Sequence, residues 1–196
     1  MLPQFPSEKI VAGCDEAGRG CLAGPVYAAC VILPKGFYHP FLNDSKVTGE
    51  KKRNQLRGFI EEHALAYAVA SISAEEIDRI NILQATFMAM KQAVLSLEIT
   101  PDLLLIDGNQ FKATIDIPYK CIIKGDSTYA SIAAASILAK TYRDKHMKNL
   151  ALEFPNYAWE KNKGYGTKEH IAGIQKTGYS IYHRRTFKLR SQGKLF

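Results

Sequence analysis

The chain has 196 residues, 46% of them apolar, and a net charge of +7 from 26 basic and 19 acidic side chains. That length suits one domain with a sizeable core, and no apolar stretch is long enough for a transmembrane helix. The N-terminus lacks the charged-then-apolar pattern of a secretory signal, so a cytosolic protein is expected. Cys14, Cys21, Cys30 and Cys121 show no Cys-x-x-Cys pairing and no matching histidine spacing. They read as small buried residues rather than as a zinc site or a disulfide framework.

The first strand is expected at about 9–15. It delivers two adjacent carboxylates, Asp15 and Glu16, into a turn reading Gly18-Arg-Gly-Cys-Leu-Ala23. Oxygen donors at a strand mouth suit a hard cation such as Mg²⁺. Glycines let backbone N–H groups approach a substrate closely. Together these point to a metal-dependent enzyme acting on phosphate. The same turn also matches a dinucleotide fingerprint, which requires a helix next and an acid at the end of the following strand. Here Pro25 follows, then a strand-like run at about 26–33 ending in Leu33-Pro34, so the cofactor reading is weak. A Walker A loop is excluded because no Gly-Lys-Ser/Thr follows the glycines.

After a loop through Asn43-Asp-Ser-Lys46, a helix is predicted from about Thr48, its N-cap, to Glu62. A third strand is expected at Leu65–Ser73, and one long helix from Ala74 to Leu97, stopped by Thr100-Pro101. Leu103–Asp107 is a short apolar run of the kind buried on both faces of a sheet. A similar strand starts at Cys121, and a helix opens at Asp126-Ser-Thr and runs through Ala133–Lys140 to about Lys148. Its alanines are read as packing, since small side chains let a helix lie close to a sheet. The remainder is irregular around Pro155 and Gly164-Tyr-Gly166, with a helix at Lys168–Lys176. The pattern predicts an α/β protein: a mixed sheet of about five strands flanked by helices, followed by a helical and irregular basic C-terminal segment. No linker, repeat or low-complexity stretch divides it, so residues 1–196 read as one domain, with a core at about 9–148 and a basic segment at about 149–196.

Charge is distributed unevenly. Residues 1–160 carry 17 Lys/Arg against 18 Asp/Glu, whereas 161–196 carry nine basic residues against Glu169 alone. Tyr165, Tyr179, Tyr182 and Phe187 are interleaved with that charge, as on a nucleic-acid surface. A solvated, partly frayed tail explains the composition equally well.

Three predicted strands end next to acids: Asp15-Glu16, Asp107 and Asp126. Taken singly, Asp107-Gly108 is an ordinary turn and Asp126 an ordinary helix cap. Asp15-Glu16 is harder to dismiss, because adjacent acids leaving a buried strand repel each other without a counter-ion. The coincidence of three strand ends favours metal binding, since ligands gather beyond strand ends in such sheets.

Asp15-Glu-Ala-Gly-Arg-Gly20, Asp44-Ser-Lys46, Leu105-Ile-Asp-Gly108, Lys124-Gly-Asp126, Ala133–Lys140 with Arg143-Asp144, and Gly164-Tyr-Gly-Thr167 resemble the motifs of ribonuclease HII, in order, across about 9–187. The resemblance implies a ribonuclease H-like fold and hydrolysis of the RNA strand in RNA–DNA hybrids, including cleavage 5′ of single ribonucleotides embedded in duplex DNA. It implies Asp15, Glu16, Asp107 and Asp126 as catalytic, metal-binding carboxylates for two Mn²⁺ or Mg²⁺ ions. Gly18, Arg19 and Gly20 would read the 2′-OH, Lys46 would contact a phosphate, and Tyr165 would stack on the following deoxyribose. With eight residues ahead of the first strand, the extra N-terminal domain of ribonuclease HIII is not expected.

Arg143 and Asp144 are expected to pair and brace the long helix. His39, His63, His146, His170 and His183 occur singly and receive no catalytic role, although His183 beside Arg184 and Arg185 is a candidate phosphate contact. Gln192-Gly-Lys-Leu-Phe196 resembles the short peptides that bind the bacterial sliding clamp, which makes a clamp a candidate partner. A monomer is expected. Rival readings are another ribonuclease H-like phosphoryl-transfer enzyme, which would not need the Gly18–Gly20 turn, a non-catalytic hybrid-binding module, and, more distantly, a hydride-transfer enzyme.

Overall fold

The computed structural model describes residues 2–42 and 49–188. Strands β1 (Val11–Ala17), β2 (Val26–Ile32), β3 (Ala66–Ile72), β4 (Leu103–Asp107) and β5 (Tyr119–Ile122) form one sheet in the order β3-β2-β1-β4-β5. The first three make an antiparallel meander, and β4 and β5 run parallel to β1. The expected mixed sheet of five strands is therefore present, and β2 rather than a helix follows the glycine-rich turn.

Alternation along the strands sends two apolar sets to opposite faces. Ala12, Cys14, Ala28, Cys30, Leu104 and Ile106 pack with Phe87 and Met90 of α3 (Ile82–Leu95). Ala29 and Val31 pack with Leu56 and Ile60 of α1 (Glu50–His63) and with the alanines of α4 (Ala130–Glu153). The alanine stretch serves packing, as expected. The helix lies so close to β1 that a Cβ on Gly13 would fall 2.3 Å from the Ser131 carbonyl carbon.

Three expectations change. The long helix from Ala74 is two helices, α2 (Ala74–Ile80) and α3, broken at Asn81. Asn81 has a φ of 68°, and its side chain accepts from the amides of Leu83 and Gln84. Apolar spacing runs on through this break, so periodicity does not reveal it. Asp126 is not the cap of the following helix: it lies in a separate 3₁₀ turn, Gly125–Ser127, and α4 starts at Ala130 and runs to Glu153. Cys14 and Cys30 are buried, as expected, but they are joined in a disulfide. They are cross-strand partners with Cα atoms 4.3 Å apart, a proximity that comes from register rather than from sequence spacing.

The C-terminal segment is no frayed tail over its described part. It carries α5 (Trp159–Asn162) and α6 (Lys168–Thr177) and folds back onto the glycine-rich turn. Leu22 N donates to Gly164 O, Gly24 N to Tyr182 O, and Arg184 N to Leu22 O, each at 2.8 Å. Beneath these bonds Ala23, Met147, Tyr157, Trp159 and Ile174 form their own apolar cluster. No described helix is long and apolar enough to cross a membrane.

Candidate active site

Parallel pairing of β1 with β4 sets Cys14 against Ile106, so Asp15 and Asp107 come next, side by side at the C-terminal ends of two central strands. Asp15 is buried, and Glu16 lies on the opposite face of the strand. Asp107 Oδ1 accepts the Gly125 amide at 2.7 Å, which ties the turn holding Asp126 to the same sheet end. Asp126 is itself buried. Register thus brings together Asp15 and Asp107, about 90 residues apart in the chain, and a side-chain bond adds the turn of Asp126.

Their electrostatics reflect that gathering. Burial first, then the charges of Glu16 and Asp107, push the Asp15 carboxyl well above its ordinary range. Burial also raises Glu16, against the pull of Arg19, whose guanidinium lies 3.1 Å from Glu16 Oε1. Each carboxylate has turned to a local donor: Asp15 to the Glu16 amide at 2.6 Å and to Ser136, Glu16 to Arg19, and Asp107 to Gly125. Among the described residues, no three His, Cys, Asp or Glu side chains form a ready-made metal cage. The donor chemistry nevertheless suits a hard divalent cation: all four groups are oxygen donors, and burial and mutual repulsion leave Asp15 costly to ionise without one.

The turn after β1 is held from behind. Arg143, fully buried, donates to the carbonyls of Pro25, Lys163 and Ala23 at 2.8–3.0 Å. Arg184, also buried, donates to Gly24 and Arg19 carbonyls at 2.8–3.0 Å. The expected Arg143–Asp144 pair is not formed: Arg143 ties α4 to these carbonyls, and Asp144 binds Lys140 at 2.8 Å. Gly18 is required by this arrangement, with a φ of +96° and room for no Cβ, which would sit 2.0 Å from Arg143 Nε. Gly20 is different: a Cβ there would meet nothing within 4 Å. The position opens to solvent. The Arg19 side chain is likewise half exposed.

A cleft of about 300 Å³ opens beside the acids, lined by Glu16, Ala17, Gly18, Arg53, Ser136, Ile137, Lys140 and Tyr165. Tyr165 is partly exposed, and its hydroxyl shares a hydrogen bond with the buried Cys21 thiol. Burial raises both groups above their ordinary values. Asp15, Glu16, Asp107, Asp126, Gly18, Arg19, Gly20 and Tyr165 thus surround one end of the sheet. Lys46 and the peptide Gln192–Phe196 lie outside the described residues.

Ser136 and Lys140, inside the Ala133–Lys140 stretch read as packing, are further polar residues at the cleft. Their signal was polar side chains four apart in an alanine-rich helix, which places both on one face. The histidine reading also changes. His183 is buried, not a phosphate contact, and its Nε2 lies 3.0 Å from Nε2 of the buried His170. Trp159 Nε1 donates to His170 Nε2 at 2.9 Å, Ser180 N donates to His183 Nδ1, and His170 Nδ1 lies 2.9 Å from Tyr165 O. Burial lowers both histidines, His183 to about 4.

The family model described as Ribonuclease HII matches residues 12–190. A protein named Ribonuclease HII from Bacteroides fragilis is 60% identical over 195 residues, covering 100% of this chain and 97% of that one. Among solved structures, the PCNA:RNase HII complex from Archaeoglobus fulgidus aligns with a TM-score of 0.75 at 22% identity, covering 94% of this chain and 98% of that one. Bst-RNase HIII in complex with Mn²⁺ aligns with a TM-score of 0.62 at 18% identity, covering 86% and 63%.

Proposed function

Because the chain belongs to the ribonuclease HII family, we propose that this ribonuclease H hydrolyses the RNA strand of RNA–DNA hybrids and also incises duplex DNA 5′ of a single embedded ribonucleotide. The observation that carries the reading is the adjacency of Asp15 and Asp107 on neighbouring parallel strands, beside a cleft that also holds Gly18 and Tyr165.

Asp15, Glu16, Asp107 and Asp126 are the groups that would hold Mn²⁺ or Mg²⁺, two ions at turnover. When bound, such ions supply a hydroxide nucleophile near neutral pH and offset charge on the leaving oxygen, giving 3′-hydroxyl and 5′-phosphate ends. The manganese complex of the HIII neighbour supports this choice of ion. The protein's own part is positioning. Carbonyls at Arg19, Ala23, Gly24 and Pro25, anchored by Arg143 and Arg184, hold the Gly18–Gly20 backbone rigid. A fixed backbone suits recognition of the 2′-OH, the group that separates RNA from DNA at one nucleotide. The Tyr165 ring packs on the deoxyribose that follows and so favours an RNA-to-DNA junction. Lys46 contacts a backbone phosphate by family resemblance.

In the cell the enzyme acts in the cytoplasm as a monomer that removes misincorporated ribonucleotides. A sliding clamp is a proposed partner through Gln192–Phe196, supported by the clamp complex of the archaeal relative. A pull-down in which a chain lacking those five residues is captured as well as the full chain overturns that part. The activity itself is tested with a duplex carrying one ribonucleotide, incubated with Mg²⁺, Mn²⁺ or EDTA. Metal-dependent cutting on the 5′ side of the ribonucleotide is expected; cutting elsewhere, or undiminished cutting in EDTA, overturns the reading.

A further inference from the structure

Lys140 lies on the face of α4 that lines the cleft with Glu16, Gly18, Ser136 and Tyr165. Its ammonium binds Asp144 Oδ1 at 2.8 Å and sits 5.7 Å from the Tyr165 ring centroid. Neither contact uses up the ammonium. The Lys-to-Asp pair at i,i+4 runs opposite to the favoured acid-before-base order, and it neutralises the buried Asp144 carboxylate through one donor. The ring distance is at the outer limit of a useful cation–π contact, which is about 6 Å. What the two contacts do achieve is aim. Asp144 is buried and therefore fixed, whereas the Lys140 side chain is a third exposed. Of the three donors on an ammonium, the bond to Asp144 is the one Lys140 makes among the described residues. The others face a cleft whose remaining charged lining is Glu16 and Arg53.

We propose that Lys140 binds the phosphodiester attached to the sugar against Tyr165, so that ring and ammonium grip one nucleotide together. The inference rests on the nuclease reading above. A sugar packed on the ring carries its phosphates on its own carbons, close to a cation held beside that ring. Asp144 keeps the lysine extended in the apoprotein and shares it with the phosphate when substrate enters. A point charge suffices, because a backbone phosphate demands no bidentate geometry.

The test compares Lys140→Gln, Lys140→Arg and Asp144→Asn in full-length protein carrying Asp107→Asn to block cleavage. Affinity for a duplex with one embedded ribonucleotide is measured over a range of salt concentrations. Lys140→Gln is expected to weaken binding several-fold at low salt and to flatten the slope of log affinity against log salt by about one unit. Lys140→Arg retains the slope, and Asp144→Asn neither weakens binding nor flattens it. An unchanged slope for Lys140→Gln overturns the proposal. So does a loss in Asp144→Asn equal to that in Lys140→Gln, which would show the pair to be a structural brace. Cleavage by the chain without these substitutions is scored separately: its failure removes the nuclease reading, while the slopes still decide whether Lys140 meets phosphate.

Discussion

Two charged regions meet at the turn after β1, and they are built on opposite rules. On one side Asp15, Glu16 and Asp107 are like charges brought together, with Asp15 raised by burial and by its neighbours. On the other, Arg143 and Arg184 are buried cations whose bonds end on backbone carbonyls at 2.8–3.0 Å. The carbonyls stabilise the guanidinium groups, and the guanidinium groups fix the turn. One region is made of cations satisfied by the backbone and serves the fold; the other is made of acids that repel one another, and it is the region proposed above to take a cation. A charge cluster is thus read by what its neighbours are, opposite dipoles or like charges, rather than by its burial.

Substitutions can break that contrast. The largest effect is expected from Asp107→Asn, which should lower metal-dependent cleavage about a thousandfold or more, roughly 4 kcal/mol of transition-state stabilisation. Thermal unfolding of the same variant should occur at an equal or higher temperature, because one repelling charge is gone. A clear drop in melting temperature would place Asp107 on the structural side instead. Arg143→Met should do the reverse. Stranding the carbonyls of Pro25, Lys163 and Ala23 is expected to cost about 3 kcal/mol of stability in urea unfolding.

Acid should sharpen the comparison from the C-terminal side. His183 is held neutral by burial, down to about 4 from an ordinary 6.5, and His170 is lowered as well. Below pH 6.5 the unfolded chain takes up protons that the folded one refuses. The stability present above pH 6.5 is therefore lost as pH falls toward 4, by about 2 kcal/mol at pH 5. Amide exchange in residues 154–187 should accelerate over that window; a flat profile contradicts the buried neutral pair. The smallest effect on stability is reserved for Gly20→Ala, within about 0.5 kcal/mol of the parent, since a methyl there meets nothing. The same variant should still lose selectivity for the ribonucleotide, measured against an all-DNA duplex. Gly18→Ala, driven into Arg143, should unfold more readily.

Much of this was legible in the sequence because it depends on local chemistry. Alternation and short apolar runs gave the five strands, and the alanines of α4 announced a helix lying close on a sheet. Adjacent acids at Asp15-Glu16 implied a counter-charge. Other features had no local signal. The Cys14–Cys30 bond and the meeting of His170 with His183 arise from strand register and chain return. Arg143 was expected to pair with Asp144, and Arg184 read as part of the basic C-terminal segment, because a sequence does not show which carbonyls a folded chain will offer. Asn81 hid a helix break inside an unbroken apolar pattern.

The sequence by itself determined the inventory: which residues are apolar, which carry oxygen donors, and where backbone freedom is needed, all properties of single residues and near neighbours. Only the tertiary structure decided which charges are met by backbone carbonyls and which are brought against like charges. That outcome depends on burial and on distances between residues about 90 or more positions apart, as with Asp15 beside Asp107 and Arg143 behind Gly18. Such distances are set by register and helix packing, which no short window of residues contains.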